Sequence, residues 1–244
     1  MEGSERVTFF IQLAGRTIEI HALFDKVQSM VRDYLTDAQT PDFVVDITET
    51  DIQAEGTAST SQHRASLESL AVYRKIAEQM LAYHTFLMHG AVVALDGKAY
   101  LFAAPSGTGK STHVRKWADQ LPEAFIVNGD KPLIIVDDQP MVCGTPWAGK
   151  ENWHTNTMVP LAAIILMERG EDNQMRQITF SEAFAGLFRQ TYQPKDKDKL
   201  KTTLHLLKAL DHKVKFYSFM FNNMKDDAFQ VAYHTLTGKQ LPSE

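Results

Sequence analysis

Ala104-Pro105-Ser106-Gly107-Thr108-Gly109-Lys110-Ser111 is the stretch on which the reading of this chain turns. It follows an apolar run, Tyr100-Leu101-Phe102-Ala103, and precedes a helix-like segment from Thr112 to Gln120. A glycine-rich turn between a strand and a helix reads as a phosphate-binding loop. Glycines at 107 and 109 let the backbone curl until successive N–H groups point at phosphate oxygens, with a helix N-terminus behind them. In that reading Ser106, Gly107, Thr108, Gly109, Lys110, Ser111 and Thr112 hold the nucleotide; Lys110 reaches the β- and γ-phosphates, and the Ser111 hydroxyl ligates Mg²⁺. Ala104 stands where the full pattern has its first glycine.

Upstream, residues 91–95 (AVVAL), a turn at Asp96-Gly97 and residues 98–103 read as a β-hairpin that delivers the loop. Before it, an apolar stripe through Leu67, Leu70, Ala71, Ala77, Met80, Leu81, His84 and Leu87/Met88 predicts a long helix from Arg64. Downstream, Ala124–Val127, Pro132–Val136 and Met141–Gly144 are three short strands with no room for helices between them. A doubly wound parallel sheet needs such helices, so the expected class is α/β with a mixed, largely antiparallel central sheet.

Farther on, Leu161–Met167 and Val214–Phe219 read as strands, and Leu200–Leu210 as a helix. Ser181–Gln190 is a helix expected to be capped by Ser181, and Asp226–Thr237 a closing helix ended by Gly238. At the other end, residues 7–23 hold two β-rich runs around Ala14-Gly15-Arg16. Helical spacing follows over Phe24–Leu35, then a strand over Phe43–Ile47. The polar stretch Thr50–Gln62 is expected to be a loop or exposed strand turned at Gly56. The expected division is a small α+β segment over 1–62 and a phosphate-loop domain over 63–244.

With 244 residues, 44% hydrophobic and 23% charged, the composition is that of an ordinary globular chain. A net charge of −5 argues against a general nucleic-acid binder. One cysteine, Cys143, excludes an intramolecular disulfide and fits a reducing compartment. No apolar run reaches the length of a bilayer span and no signal peptide is evident, so the expectation is a cytoplasmic protein without membrane partners.

Phosphoryl transfer is mainly positioning and charge neutralisation, so the loop needs a metal-binding carboxylate, a base and further cations. Two carboxylates compete. Asp130 ends Ile126-Val127-Asn128-Gly129-Asp130, and Asp137 ends an apolar run but also reads as a turn, Asp137-Asp138-Gln139-Pro140. His89 precedes the hairpin and is either a helix-ending residue or a neighbour of the phosphates. In Thr145-Pro146-Trp147-Ala148-Gly149-Lys150, Lys150 would neutralise a phosphate or acidic acceptor and Trp147 would stack on a flat ligand. The alternative is a surface loop with a packed Trp and a solvated Lys. The run Lys195–Lys201 reads as a solvated helix start, and His154, His205, His212 and His234 share no metal-site spacing.

Taken together, His89-Gly90, the Asp-Gly hairpin, Ser-Gly-x-Gly-Lys-Ser and Asp130 some twenty residues on resemble the catalytic domain of HPr kinase/phosphorylase, which is related to ATP-type phosphoenolpyruvate carboxykinase. The resemblance is close over residues 86–150 and looser beyond, and is nearest to the smaller relatives found with bacterial peptide-modification systems. It implies an HPr kinase-like fold and a bacterial, ATP- and Mg²⁺-dependent kinase that phosphorylates a hydroxyl, serine above all, on a peptide, protein or small molecule. Within it, His89 lies near the γ-phosphate, Lys110 and Ser111 bind phosphate and metal, and Asp130 serves as metal ligand and base. Gly129-Asp130 stands in place of the family's Asp pair. The related kinases are oligomers, so a homo-oligomer is among the expected partners. The remaining alternatives are an ATP-binding regulatory or assembly protein without transfer, and a simple ATPase.

Overall fold

The computed structural model describes residues 6–222, 225 and 227–241. The chain divides into two compact units, Met1–Tyr83 and His84–Glu244.

In the first unit, strands β1 (Val7–Leu13) and β2 (Arg16–Ala22) form an antiparallel hairpin, and β3 (Phe43–Asp46) pairs with β2 in parallel. The turn at Ala14-Gly15 has φ of 50° and 74°, as a two-residue hairpin loop requires. Helix α1 is short (Lys26–Met30) and is followed by a 3₁₀ turn at Arg32–Tyr34 rather than by one continuous helix. Residues expected to be a loop form helix α2 (Glu49–Glu55): the Thr48 hydroxyl accepts from the Asp51 N–H and the Asp51 carboxylate accepts from the Thr48 N–H.

Helix α3 (Ser61–Met80) packs on α1, α2 and β3, so it belongs to this unit and the division falls after Tyr83 instead of after residue 62. Nor does the helix run on to Met88. A 3₁₀ turn (Leu81–Tyr83) and His84 at φ 52° end it, and Thr85–Leu87 becomes strand β4.

The second unit is built on one mixed sheet. Its strands are β4, β5 (Ala91–Leu95), β6 (Lys98–Ala103), β7 (Phe125–Asn128), β8 (Leu133–Ile135), β9 (Met141–Cys143), β10 (Met158–Arg169), β11 (Gln174–Ile178) and β12 (Lys215–Phe221). Their order is β4-β8-β9-β10-β6-β5-β7, with β12 also pairing β10 and carrying β11 on its far side. Only β10–β6 and β10–β12 are parallel, so the sheet is mixed and mostly antiparallel, as the short spacers require.

The long strand β10 is the spine. Its first residues, Met158–Pro160, pair with β9, and after a bulge at Leu161/Ala163 it runs parallel to β6. The parallel pair brings the carboxyl ends of β6 and β10 side by side, where α/β sheets bind ligands.

Helices α4 (Lys110–Gln120) and α7 (Ala228–Thr237) cover one face. There Trp117 packs against Tyr100, Phe229 and Tyr233, ring centroids 5.5–5.8 Å apart, over Tyr100, Phe102, Ile165 and Phe219. Alternate strand residues point the other way, toward α5 (Phe180–Gln190) and α6 (Lys197–Ala209): Phe216 meets Phe180 at 5.6 Å. Thr179, not Ser181, caps α5, in a capping box with Glu182, and the expected charge run starts α6 with Asp196 as its cap. The part of the expected closing helix at Asp226 lies outside the described residues.

One core residue carries a pH prediction. His113 of α4 is buried among Phe102, Phe219 and Phe221; its Nε2 accepts from the Trp117 indole N–H at 3.2 Å, and among the described residues Nδ1 has no hydrogen-bond partner. Burial, aided by the Lys116 charge, pushes its pKa from 6.5 down to about 3. Below pH 6.5 the unfolded chain takes up a proton that the folded chain refuses, so stability falls as pH falls toward about 3. The slope is about 1.4 kcal/mol per pH unit. Urea unfolding of wild type and His113→Phe between pH 6 and 4 should give a curve flatter by about that slope for the variant.

Candidate functional site

Residues Ala104–Gly109 leave β6 and turn into α4. Gly109 caps the helix at φ 118°, and a Cβ there would stand 2.8 Å from Phe221 Cε1, so both backbone and packing demand glycine. His89, Ser106, Gly107, Gly109, Lys110, Ser111, Thr112 and Asp130 line one cleft of about 480 Å³, with Gly149, Lys150 and Glu151. Sequence positions 89, 106–112 and 130 thus converge. Thr108 is the exception: its hydroxyl donates to Pro105 O at 2.9 Å and it lines a separate cavity.

Lys110 is buried, and its Nζ donates to the Ala104 and Pro105 carbonyls at 2.8 and 3.3 Å. Burial holds its pKa below the ordinary lysine value, partly offset by the charge of Asp130. Ser111 is the second residue of the helix and lines the cleft.

Asp130 is 21% exposed and holds two partners. Its Oδ1 takes His89 Nε2 at 3.0 Å and its Oδ2 takes Lys131 Nζ at 2.7 Å. Burial pushes this carboxyl up, but the hydrogen bonds and charges of His89 and Lys131 outweigh it and bring the pKa to about 2. An ionised carboxylate only accepts, so the hydrogen bond between them is donated by His89 Nε2. The other ring nitrogen, Nδ1, lies 3.0 Å from Gln190 Oε1, and the His89 N–H donates to the Gln190 carbonyl at 2.7 Å. His89 therefore bridges α5 and Asp130; it is not the cap of a helix.

A buried polar knot fixes this geometry. The Asn128 side chain accepts from the N–H groups of Asp130 and Lys131 at 2.9 and 2.7 Å and donates to the Thr145 carbonyl and hydroxyl; the Thr145 hydroxyl donates to the Lys131 carbonyl at 2.8 Å. Asn128 and Thr145 are fully buried, so breaking the knot would strand buried polar groups. Next to it Gly149, at φ 78°, lets the following loop close on Asp130: a Cβ would lie 3.1 Å from Asp130 Cβ.

The two candidates on that loop separate. Lys150 reaches the cleft with its side chain 90% exposed, 3.6 Å from Glu151. Trp147 is 5% exposed and does not line the cleft, so the stacking role gives way to packing. Trp153 anchors its loop: its carbonyl accepts from the Gly129 N–H, and Arg115 lies over its ring. Asp137 is in the turn between β8 and β9, paired with His84 at 3.3 Å and away from the cleft.

Sequence reasoning did not find Asn128, Lys131, Gln190 or Arg169, whose guanidinium donates to Gly107 O at 2.8 Å. Only Asn128 left a signal: an Asn that bonds the N–H groups two and three residues on is the Asx turn that Asn-Gly-Asp-Lys suggests.

Among the described residues no group of three or more His, Cys, Asp or Glu could hold a metal by itself. Ser111 and Asp130 supply two oxygens, a set that suits Mg²⁺ when phosphates and waters complete the octahedron. Among the described residues no helix is long and apolar enough to cross a membrane.

No curated protein matches the chain. Among solved structures, the HPr(Ser) kinase/phosphatase from Coxiella burnetii is similar at 11% identity, covering 62% of this chain and 93% of that one with a TM-score of 0.37. Residues 57–225, more than half of the chain, match the family described as SynChlorMet cassette protein ScmC. The chain belongs to the ScmC family.

Proposed function

We propose that this protein is an ATP-dependent phosphotransferase that moves the γ-phosphoryl group to a hydroxyl, serine above all, of a peptide, protein or small molecule. The observation that carries the reading is the convergence in one cleft of a glycine loop at a helix N-terminus, a buried Lys and a carboxylate locked by His89 and Lys131. The resemblance of residues 86–150 to HPr kinase supports it.

The N–H groups of the 106–111 loop and the α4 N-terminus bind the phosphates, and Lys110 exchanges its loop carbonyls for phosphate oxygens. Ser111 and Asp130 would hold Mg²⁺, which would supply charge neutralisation at the phosphates. Asp130 orients the acceptor hydroxyl and takes its proton as the oxygen–phosphorus bond forms and the bond to the β-phosphate oxygen breaks. ADP leaves with that electron pair, and His89 holds the carboxylate in place.

One observation favours a second reading, a nucleotide-binding regulator without transfer: both oxygens of Asp130 are already engaged. Incubation with γ-labelled ATP, Mg²⁺ and cell extract separates the two. Label in a peptide, protein or small molecule supports the phosphotransferase. Label only in free phosphate points to an ATPase, and ATP binding without consumption to the regulator.

A further inference from the structure

We infer that a cavity behind the phosphate loop seats the acceptor, and that this acceptor is a peptide segment carrying an apolar side chain and a single carboxylate beside its hydroxyl residue. The inference rests on the phosphotransfer reading and names its substrate class.

The cavity, of about 250 Å³, lies at the carboxyl ends of β6 and β10 beside α5. It shares no lining residue with the cleft, yet two direct links join them. Thr108 and Pro105 form its wall from the outer side of the same loop whose Gly107 faces the cleft. Gln190 forms another part of the wall and holds His89, the partner of Asp130. An acceptor anchored here is therefore linked to the proposed base Asp130 by two contacts, Gln190 to His89 and His89 to Asp130.

Its floor is apolar, formed by Ala103, Leu166 and Met167. At about 250 Å³ it is smaller than the roughly 300–1,000 Å³ clefts that enclose whole ligands, so it suits one side chain. The rim is charged. Arg169 and Arg189 set two guanidiniums against the one carboxylate of Glu168, which leaves the rim singly positive and matched to one carboxylate. Arg169 also donates to Gly107 O, so a carboxylate drawn to that guanidinium competes with a contact on the loop itself.

The test uses two fluorescein-labelled heptapeptides with a central serine followed by leucine, one with glutamate before the serine and one with lysine. Each is titrated by fluorescence anisotropy against the chain, with and without ADP and Mg²⁺. The glutamate peptide should bind about tenfold more tightly, the size of one charge-assisted contact. Arg189→Glu should reverse the preference while the affinity for a fluorescent ADP analogue holds steady. Equal affinities, a preference that survives Arg189→Glu, or no binding of either peptide would overturn the inference. Failure of the phosphotransfer reading would show separately, as absent nucleotide binding or absent label transfer alongside an intact peptide preference.

Discussion

Asp130→Asn should lower phosphoryl transfer by about 10²–10⁴-fold, the usual contribution of a positioned acid or base, and raise the Mg²⁺ concentration needed, while the affinity for metal-free ATP changes little. The amide keeps the shape of the carboxylate, so the Asn128–Thr145 knot and the loop stay in place. What is lost is the charge that draws His89 and Lys131 and accepts the hydroxyl proton. The expected kinetic signature at saturating Mg²⁺ is a fall in kcat much larger than any rise in KM for ATP, since the contact to the acceptor hydroxyl matters most in the transition state. The wild-type pH profile should carry no limb from Asp130 between pH 4 and 8, because its pKa of about 2 keeps it ionised throughout. If Asp137→Asn is the inactive variant instead, the assignment of the carboxylate is wrong.

Lys110→Met should weaken nucleotide binding by roughly 10–150-fold without costing stability. A hydrogen bond to a charged partner is worth about 1.5–3 kcal/mol, so the loss of this phosphate contact alone weakens binding by roughly 10–150-fold. The fold has little to lose in exchange. Burial disfavours the Lys110 charge, and relief of that cost offsets the loss of its hydrogen bonds to the Ala104 and Pro105 carbonyls, residues that line the neighbouring cavity. Thermal unfolding should therefore give a Tm equal to or above that of wild type, and calorimetric titration with Mg²⁺–ATP should give a Kd raised by that factor. A lower Tm together with retained binding would mean that Lys110 is a structural prop for the loop.

The parts of this molecule that sequence revealed are those written in local chemistry. The hairpin Ala91–Ala103, the turn at Asp96-Gly97 and the loop 106–111 each depend on residues within a few positions, and short spacers alone forced the antiparallel strands after α4. The capping box of α2 was local too, but a run of Thr and Ser masked Thr48 and Asp51. Strand β11 left no signal because it is polar and mostly exposed, held only by its pairing to β12. In the site, Asp130 and His89 were legible from order along the chain. Gln190 was not, because it meets His89 from 101 residues away. Lys131 was adjacent to Asp130 all along; only the Asn128 turn explains why its side chain folds back on that neighbour. Trp147 shows the opposite error, a residue type rich in binding roles that packing claims instead.

The central claim is that the cleft between the 106–111 loop and Asp130 holds the phosphates of a nucleotide. The most direct test is a crystal structure with a non-hydrolysable ATP analogue and Mn²⁺, located by its anomalous signal. The account predicts the β-phosphate on the loop N–H groups, the metal peak between Ser111 Oγ and Asp130, and the γ-phosphate facing His89. A nucleotide bound elsewhere, or a metal peak away from both Ser111 and Asp130, would contradict it.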